Sequence, residues 1–371
     1  MKDFLQQVAA ELQEIRRTPA ALSTMVMAIL IYAAFYPQPY LNEAVRDVPT
    51  LVIDQDNSTT SRELARRVDI GEGARIVDVA GSMDEARTRL LARDAVAVFI
   101  IPNNFERDIL AGRQSPIAAY GDGSYFLIYR QAMSAISSAA RSIGAEATTS
   151  RLVAGGMEPN VARAMSDPMP VTAIPLFNPQ GGYASYVVPA ALVLILQQTL
   201  MMGIIILNAP RKNQSRGSEP LLPKVCAYIA LYLIWSALYL FMVPHFYGLP
   251  RLGSPGGIIL LLIPFLASTS FLGLFLSRMI PNQEIGILLL VVLGMPLFFV
   301  AGAAWPIEAM SPAVHYPSLL IPSSSAIRAL VQMNQMGATL SDVRHEVFVL
   351  CGLTGFFALL AYSIRFFQRA E

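Results

Sequence analysis

The chain has 371 residues, 54% of them hydrophobic and only 14% charged, with a formal net charge of +1. Soluble domains carry roughly 25% charge, and the mean hydropathy here is +0.49, so a water-soluble globular class is excluded for most of the length. A balance so close to neutral supplies no bulk field for nucleic acid.

Residues 2–17 read as an amphipathic helix. Leu5, Val8, Leu12 and Ile15 recur at three and four residues, with Asp3, Gln7, Glu11 and Glu14 assigned elsewhere on the wheel. Such a helix lies in the membrane interface, as a plain anchor or as a contact surface for a cytoplasmic partner. The first apolar stretch, Ala20–Tyr36, has about 17 residues where about 20 are needed to cross hydrocarbon. It would span with bilayer thinning or snorkelling, anchored by Arg16 and Arg17. A signal peptide is the rival reading. The late start, the acidic segment ahead and the lack of a small-x-small site before Tyr36-Pro37 argue against it.

A polar block follows. Val48–Ile53 is a β-branched run, and Asp56-Asn57-Ser58 supplies turn and cap residues for a helix at Thr59–Val68. Arg75–Val79 is a second strand. Ser82 with Glu85 forms a capping-box pattern for a helix running to Ala92. Val96–Ile101 is a third strand, Phe105–Ala111 a helix, Ile117–Tyr120 a strand, and Phe126–Ala154 a long helix rich in Ala and Ser. A shorter helix covers Pro159–Met165, and Pro168–Pro179 leads back toward the bilayer. This alternation predicts an α/β domain. Asp54, Asp56 and Asp122 invite a metal, but the pattern lacks the Gly and distal Glu of a calcium loop, so the carboxylates read as caps at strand ends.

Five more apolar stretches follow, at Tyr183–Leu207, Leu221–Val243, Gly256–Leu276, Glu284–Ala304 and Glu346–Phe366. Cys226 and Cys351 fall in two of them and read as small buried hydrophobes. Between the last two stretches, residues 305–345 are too polar to span. They suit a re-entrant or interfacial segment, with Trp305, His315 and Tyr316 at the interface and Ser323-Ser324-Ser325 capping a helix. Lys2, Arg16, Arg17, Arg211, Lys212, Arg216, Lys224, Arg278, Arg365 and Arg369 all fall on one side of six spans, against Arg251 in the opposite short loop. That bias predicts cytoplasmic termini and a polar block on the outside.

No phosphate-loop, H-E-x-x-H or G-x-S-x-G motif occurs, so no catalytic residue is assigned, and no cofactor or metal is expected. The span centres hold no ionisable residue, which disfavours ion-driven transport. They do hold Gln197, Gln198 and Thr199, and Ser268, Thr269 and Ser270. These either bond between helices or line a route for an amphiphilic substrate.

Three groups of residues stand in a familiar order. They are Val48-Pro-Thr-Leu-Val-Ile-Asp-Gln-Asp-Asn-Ser58; Asn178-Pro179 leading through Tyr186-Val-Val-Pro189 to Leu194-Ile-Leu-Gln197; and Ala301-Gly302, Trp305-Pro306-Ile-Glu308-Ala-Met310, Pro322-Ser323 and Gln335-Met336-Gly337-Ala338. With the order of spans, they make nearly the whole chain resemble type-2 ATP-binding-cassette exporter permeases that carry a large extracytoplasmic domain after the first span. The fold expected is therefore an α-helical integral membrane protein. It has an interfacial helix (1–19), a first span (20–36), an extracytoplasmic α/β domain (37–182) and a five-helix membrane domain (183–371).

The resemblance implies a permease subunit without enzyme activity, paired with a second copy or a related permease. It also implies two cytoplasmic ATPase subunits that hold ATP and Mg. Leu5, Val8, Leu12 and Ile15 on the interfacial helix, and Arg211, Lys212 and Arg216 in the loop after the second span, would meet the ATPase. That loop reads Asn208-Ala-Pro-Arg-Lys-Asn-Gln-Ser-Arg-Gly217, not the family's acidic, Gly-Thr-containing form. A periplasmic adaptor, an outer-membrane channel and a Gram-negative inner membrane are further implications. The alternative is a membrane-anchored sensor or scaffold, for which five further spans exceed the need. Lipid, drug, peptide and glycan substrates are all left open.

Overall fold

The computed structural model describes residues 2–40, 45–169, 176–177, 182, 184–210, 220–249, 251–302, 305 and 309–370. It forms two compact units, Met1–Glu43 with Pro175–Glu371, and Ala44–Ile174.

The first unit begins with α1 (Lys2–Arg17) and α2 (Pro19–Tyr40). Pro19 sits at the first turn of α2, where its missing N–H costs nothing. The sequence reading made this span short. The helix instead has 22 residues, because Pro37 starts a closing turn rather than ending the element. At 1.5 Å per residue that is about 33 Å, enough for a hydrocarbon core of about 30 Å without thinning. A π turn at Ser23–Met27 interrupts its α-helical ladder.

The second unit contains β1 (Val48–Asp54), α3 (Thr59–Asp69), β2 (Ala74–Val79), α4 (Met83–Leu91), β3 (Ala97–Ile101), α5 (Phe105–Leu110), β4 (Ala118–Gly121), α6 (Phe126–Ala154) and α7 (Pro159–Ser166). Its sheet runs β2-β1-β3-β4, with β1 parallel to both neighbours and β4 antiparallel to β3. Alternation along the strands sorts two cores. Val52, Phe99 and Ile101 pack with Leu64, Val68, Phe105 and Ile136 on one face. Leu51, Ile53 and Val98 pack with Ala86 on the other.

The expected caps are present. Ser58 Oγ accepts from Ser61 N at 3.1 Å, and Ser82 Oγ accepts from Glu85 N at 3.2 Å. Asp54 accepts the N–H groups of Asp56 and Asn57 and the Ser61 hydroxyl. Asp56 accepts the N–H groups of Phe105 and Glu106, and so opens α5. Burial pushes the Asp56 carboxyl up, but hydrogen bonds from Ser58 and from the Glu106, Phe105 and Asn104 N–H groups outweigh it and hold it below the usual range.

The first unit resumes with α8 (Ala184–Asn208), α9 (Leu221–Phe246), α10 (Pro255–Met279), α11 (Gln283–Val300), α12 (Pro312–Ser318), α13 (Pro322–Met336) and α14 (Arg344–Ala370). Among the described residues six helices, α2, α8, α9, α10, α11 and α14, are long and apolar enough to cross a membrane. The structure is therefore that of a mostly helical membrane protein. The apolar window of α8 is 78% buried, against 17% for α2 and 11% for α11, so α8 is the hub and the other two lean on it from the edge.

Close approaches bind them. A Cβ at Gly203 would overlap the Met25 side chain of α2, and one at Gly286 of α11 would stand 2.7 Å from Ile205. Small residues at such crossings let membrane helices gain dispersion contact where the hydrophobic effect offers nothing.

The short helix α13 packs against α8, α10 and α14. Ser323, Ser324 and Ser325, expected as its cap, instead lie buried in its first turn behind Ile321 as N-cap and Pro322. The capping acceptor comes from another helix: Gln197 Oε1 of α8 takes the Ser323 N–H at 2.7 Å.

Candidate functional site

Between α2, α8 and α11 lies a cavity of about 690 Å³. Helical repeat builds its walls. From α2 come Ser23, Thr24, Ala28, Tyr32 and Tyr36, with Tyr40 beyond; from α8 come Val187, Ala191, Leu194 and Gln198; from α11 come Leu290, Gly294 and Phe298. Apart from adjacent Ser23 and Thr24, each series advances by three or four residues, so each helix gives one stripe. The described lining contains no Asp, Glu, Lys, Arg or His.

Most polar groups here are already engaged. The Thr24 hydroxyl donates to Ala20 O at 2.9 Å. Thr199 donates to Ile195 O at 2.8 Å and accepts from the Tyr232 hydroxyl at 3.1 Å. The Tyr36 and Tyr40 rings stack obliquely, with centroids 5.9 Å apart. Gln198 differs: its amide nitrogen and oxygen are both shielded from solvent, and neither has a hydrogen-bond partner among the described residues.

Of the six polar span residues singled out in sequence, the structure brings Gln198 and Thr199 to this cavity. Gln197 points about 100° away around the helix and serves α13. Ser268 and Ser270 are buried in α10 and donate to Phe265 O and Leu266 O at 2.9 and 2.7 Å. Thr269 is also buried, with its hydroxyl unpaired among the described residues. None of the three lines the cavity. Sequence reasoning missed the tyrosines, although Tyr32, Tyr36 and Tyr40 recur every fourth residue.

A second polar cluster ties α1 to α8 and α9. Glu11 is 7% exposed and accepts from the Tyr228 hydroxyl. Lys224 Nζ stands 3.4 Å from the Glu11 carboxylate and donates to Asn208 Oδ1 at 2.9 Å. Asn208 Nδ2 donates to the Tyr228 oxygen at 3.0 Å. The sequence pattern puts Glu11 on the polar side of α1. Two overlapping stripes share Val8 and Ile15, and packing selects the one that runs through Phe4 and Glu11, because Lys224 and Tyr228 await the carboxylate. Ile15 is buried and Val8 half-buried, whereas Leu5 and Leu12 are exposed. Arg211, Lys212 and Arg216 lie outside the described residues.

In the second unit, Arg67 of α3 bridges Glu63 and Glu146 of α6, each at 2.7–2.8 Å. Hydrogen bonds from Arg66 and Arg67 hold the Glu63 carboxyl down at about 2, and the Arg67 bond holds Glu146 below its usual range.

A family model described as ABC-2 family transporter protein matches residues 21–363. No curated protein and no solved structure matches the chain.

Proposed function

The chain belongs to the ABC-2 family of transporter proteins, and on that premise we propose that it is the permease of an ATP-driven exporter. Family membership makes it a transporter's membrane subunit and implies an ATPase partner. The observation that carries the exporter reading is the cavity between α2, α8 and α11, set among helices of membrane length. It is the translocation route, and Gln198 and Thr199 face the passing substrate.

A second copy, or a related permease, covers the thinly packed α2 and α11. Both termini lie in the cytoplasm and the second unit in the periplasm, across an inner membrane, a reading supported by the basic residues in alternate loops. There the second unit meets an adaptor that leads to an outer-membrane channel. ATP and Mg bind in the ATPase pair, whose closure pushes on α1 and on the loop at 208–222. The Glu11 cluster hands that displacement to α8 and α9. The stroke works only through differential contact with two states.

The test is joint replacement of Arg211 and Lys212 by Glu in the assembled complex. ATPase co-purification and efflux should fall together. Unchanged recovery of the ATPase with unchanged efflux would sink the coupling role, and ATP hydrolysis by the purified chain alone would sink the permease assignment.

A further inference from the structure

We infer that the substrate of this cavity is an uncharged amphiphile bearing an amide, carbonyl or hydroxyl group, and that Gln198 reads that group. The inference rests on the cavity being the substrate's site, as proposed above.

Charge decides first. Every described lining residue is neutral, and an ion buried in such a wall finds no partner, at a cost of several kcal/mol. Size comes next. A volume of about 690 Å³ sits within the range of about 300–1,000 Å³ typical of small-molecule sites. A single amphiphile fits against the wall that this chain supplies.

Gln198 then sets the polar requirement. Two donors and an acceptor in one side chain lie shielded and unpaired among the described residues. Leaving such groups unmet costs about 1–3 kcal/mol, which a ligand offering both a donor and an acceptor recovers. Gly294 stands beside this amide: a Cβ there would make an ordinary contact, 3.9 Å from Gln198 Nε2, so only a larger side chain would fill the space next to it. Tyr32, Tyr36 and Tyr40 form an aromatic rail on α2, suited to an apolar body with polar points along it.

The test uses three radiolabelled probes: N-dodecanoylglycinamide, its carboxylate analogue N-dodecanoylglycine, and dodecyltrimethylammonium. Binding is measured on the full-length permease in nanodiscs without ATP. The neutral amide should bind saturably, and the two ions should bind at least roughly tenfold more weakly. Gln198→Leu should weaken the amide by roughly tenfold, with Gln198→Asn intermediate. Gly294→Leu, which fills the cavity beside Gln198, should abolish binding, and it carries the test should Gln198→Leu not fold.

Equal binding of all three probes, no saturable binding of the amide, or an unchanged affinity in Gln198→Leu and Gly294→Leu would overturn the inference. A parallel measurement of ATP-driven efflux in proteoliposomes containing the ATPase separates the two readings. A neutral probe that binds with the stated preference but is never moved sinks the exporter and spares the ligand class. Efflux with preference for an ion does the reverse.

Discussion

Replacing Glu11 by Ala removes the acceptor shared by Lys224 and Tyr228 and leaves the lysine charge without its carboxylate. Breaking one side of a buried ion pair costs about 3–5 kcal/mol. Glu11 is 8% and Lys224 16% exposed in their side chains, so the pair is buried, but Lys224 lies at the start of a membrane helix and can snorkel toward water. That relief brings the expected loss to about 2–3 kcal/mol, at or just below the lower end of that range. Lys224→Met should cost a similar amount, because it strands the carboxylate. The double variant Glu11→Leu with Lys224→Met strands no charge, so its loss should fall short of the sum of the single losses by about 1–3 kcal/mol, as for residues in direct contact. Denaturant titration of the full chain in nanodiscs reads all four corners of the cycle. Single losses below about 0.5 kcal/mol, the level of ordinary surface changes, or strict additivity would refute the reasoning, since either result means the cluster does not couple α1 to α9.

Three further outcomes are expected. Hydrogen bonds from Arg66 and Arg67 hold the folded Glu63 carboxyl down at about 2, and the Arg67 bond lowers that of Glu146; their stabilising effect is full above the unfolded value of about 4.5 and, for Glu63, is lost as pH falls toward about 2. Amide exchange in α3 and α6, corrected for its intrinsic pH dependence, should quicken as pH falls, and Arg67→Met should weaken the response at α6, where Glu146 loses its partner, while Arg66 still holds Glu63; an Arg67→Met chain with the same profile at α6 would count against it. Gln197→Ala should destabilise the protein by about 1–3 kcal/mol by orphaning the Ser323 N–H, and exchange at the start of α13 should rise. Gly203→Leu should cost about 1–3 kcal/mol by overpacking against Met25, and Met25→Ala should restore part of it; a thermal midpoint that Met25→Ala fails to raise would place the strain elsewhere.

Helices α1 and α8 differ in how much of their packing is legible in the sequence. In α1 a wheel with both polar and apolar positions announced a helix and nearly its bounds, yet two stripes offset by one residue were equally periodic. Only Lys224 and Tyr228, more than two hundred positions away, chose between them. In α8 the wheel is apolar almost all round, so it carries no facing signal at all. Gln197 and Gln198 are neighbours of identical chemistry. One became a capping acceptor for α13 and the other an unpaired amide in a cavity wall.

Composition and period, which belong to short stretches of chain, determined the membrane class, the six spanning helices, the α/β alternation between the first two, and the caps at Ser58 and Ser82. These need no partner beyond a turn of helix or a strand's own alternation. The tertiary structure decided what depends on rotation about a helix axis: the facing of Gln198, the burial of Glu11, the tyrosine rail and the position of Gly294 beside Gln198. In membrane helices whose surfaces are uniformly apolar, burial energy does not prefer one rotation over another. That choice falls to close packing at small residues and to polar groups seeking partners on distant segments.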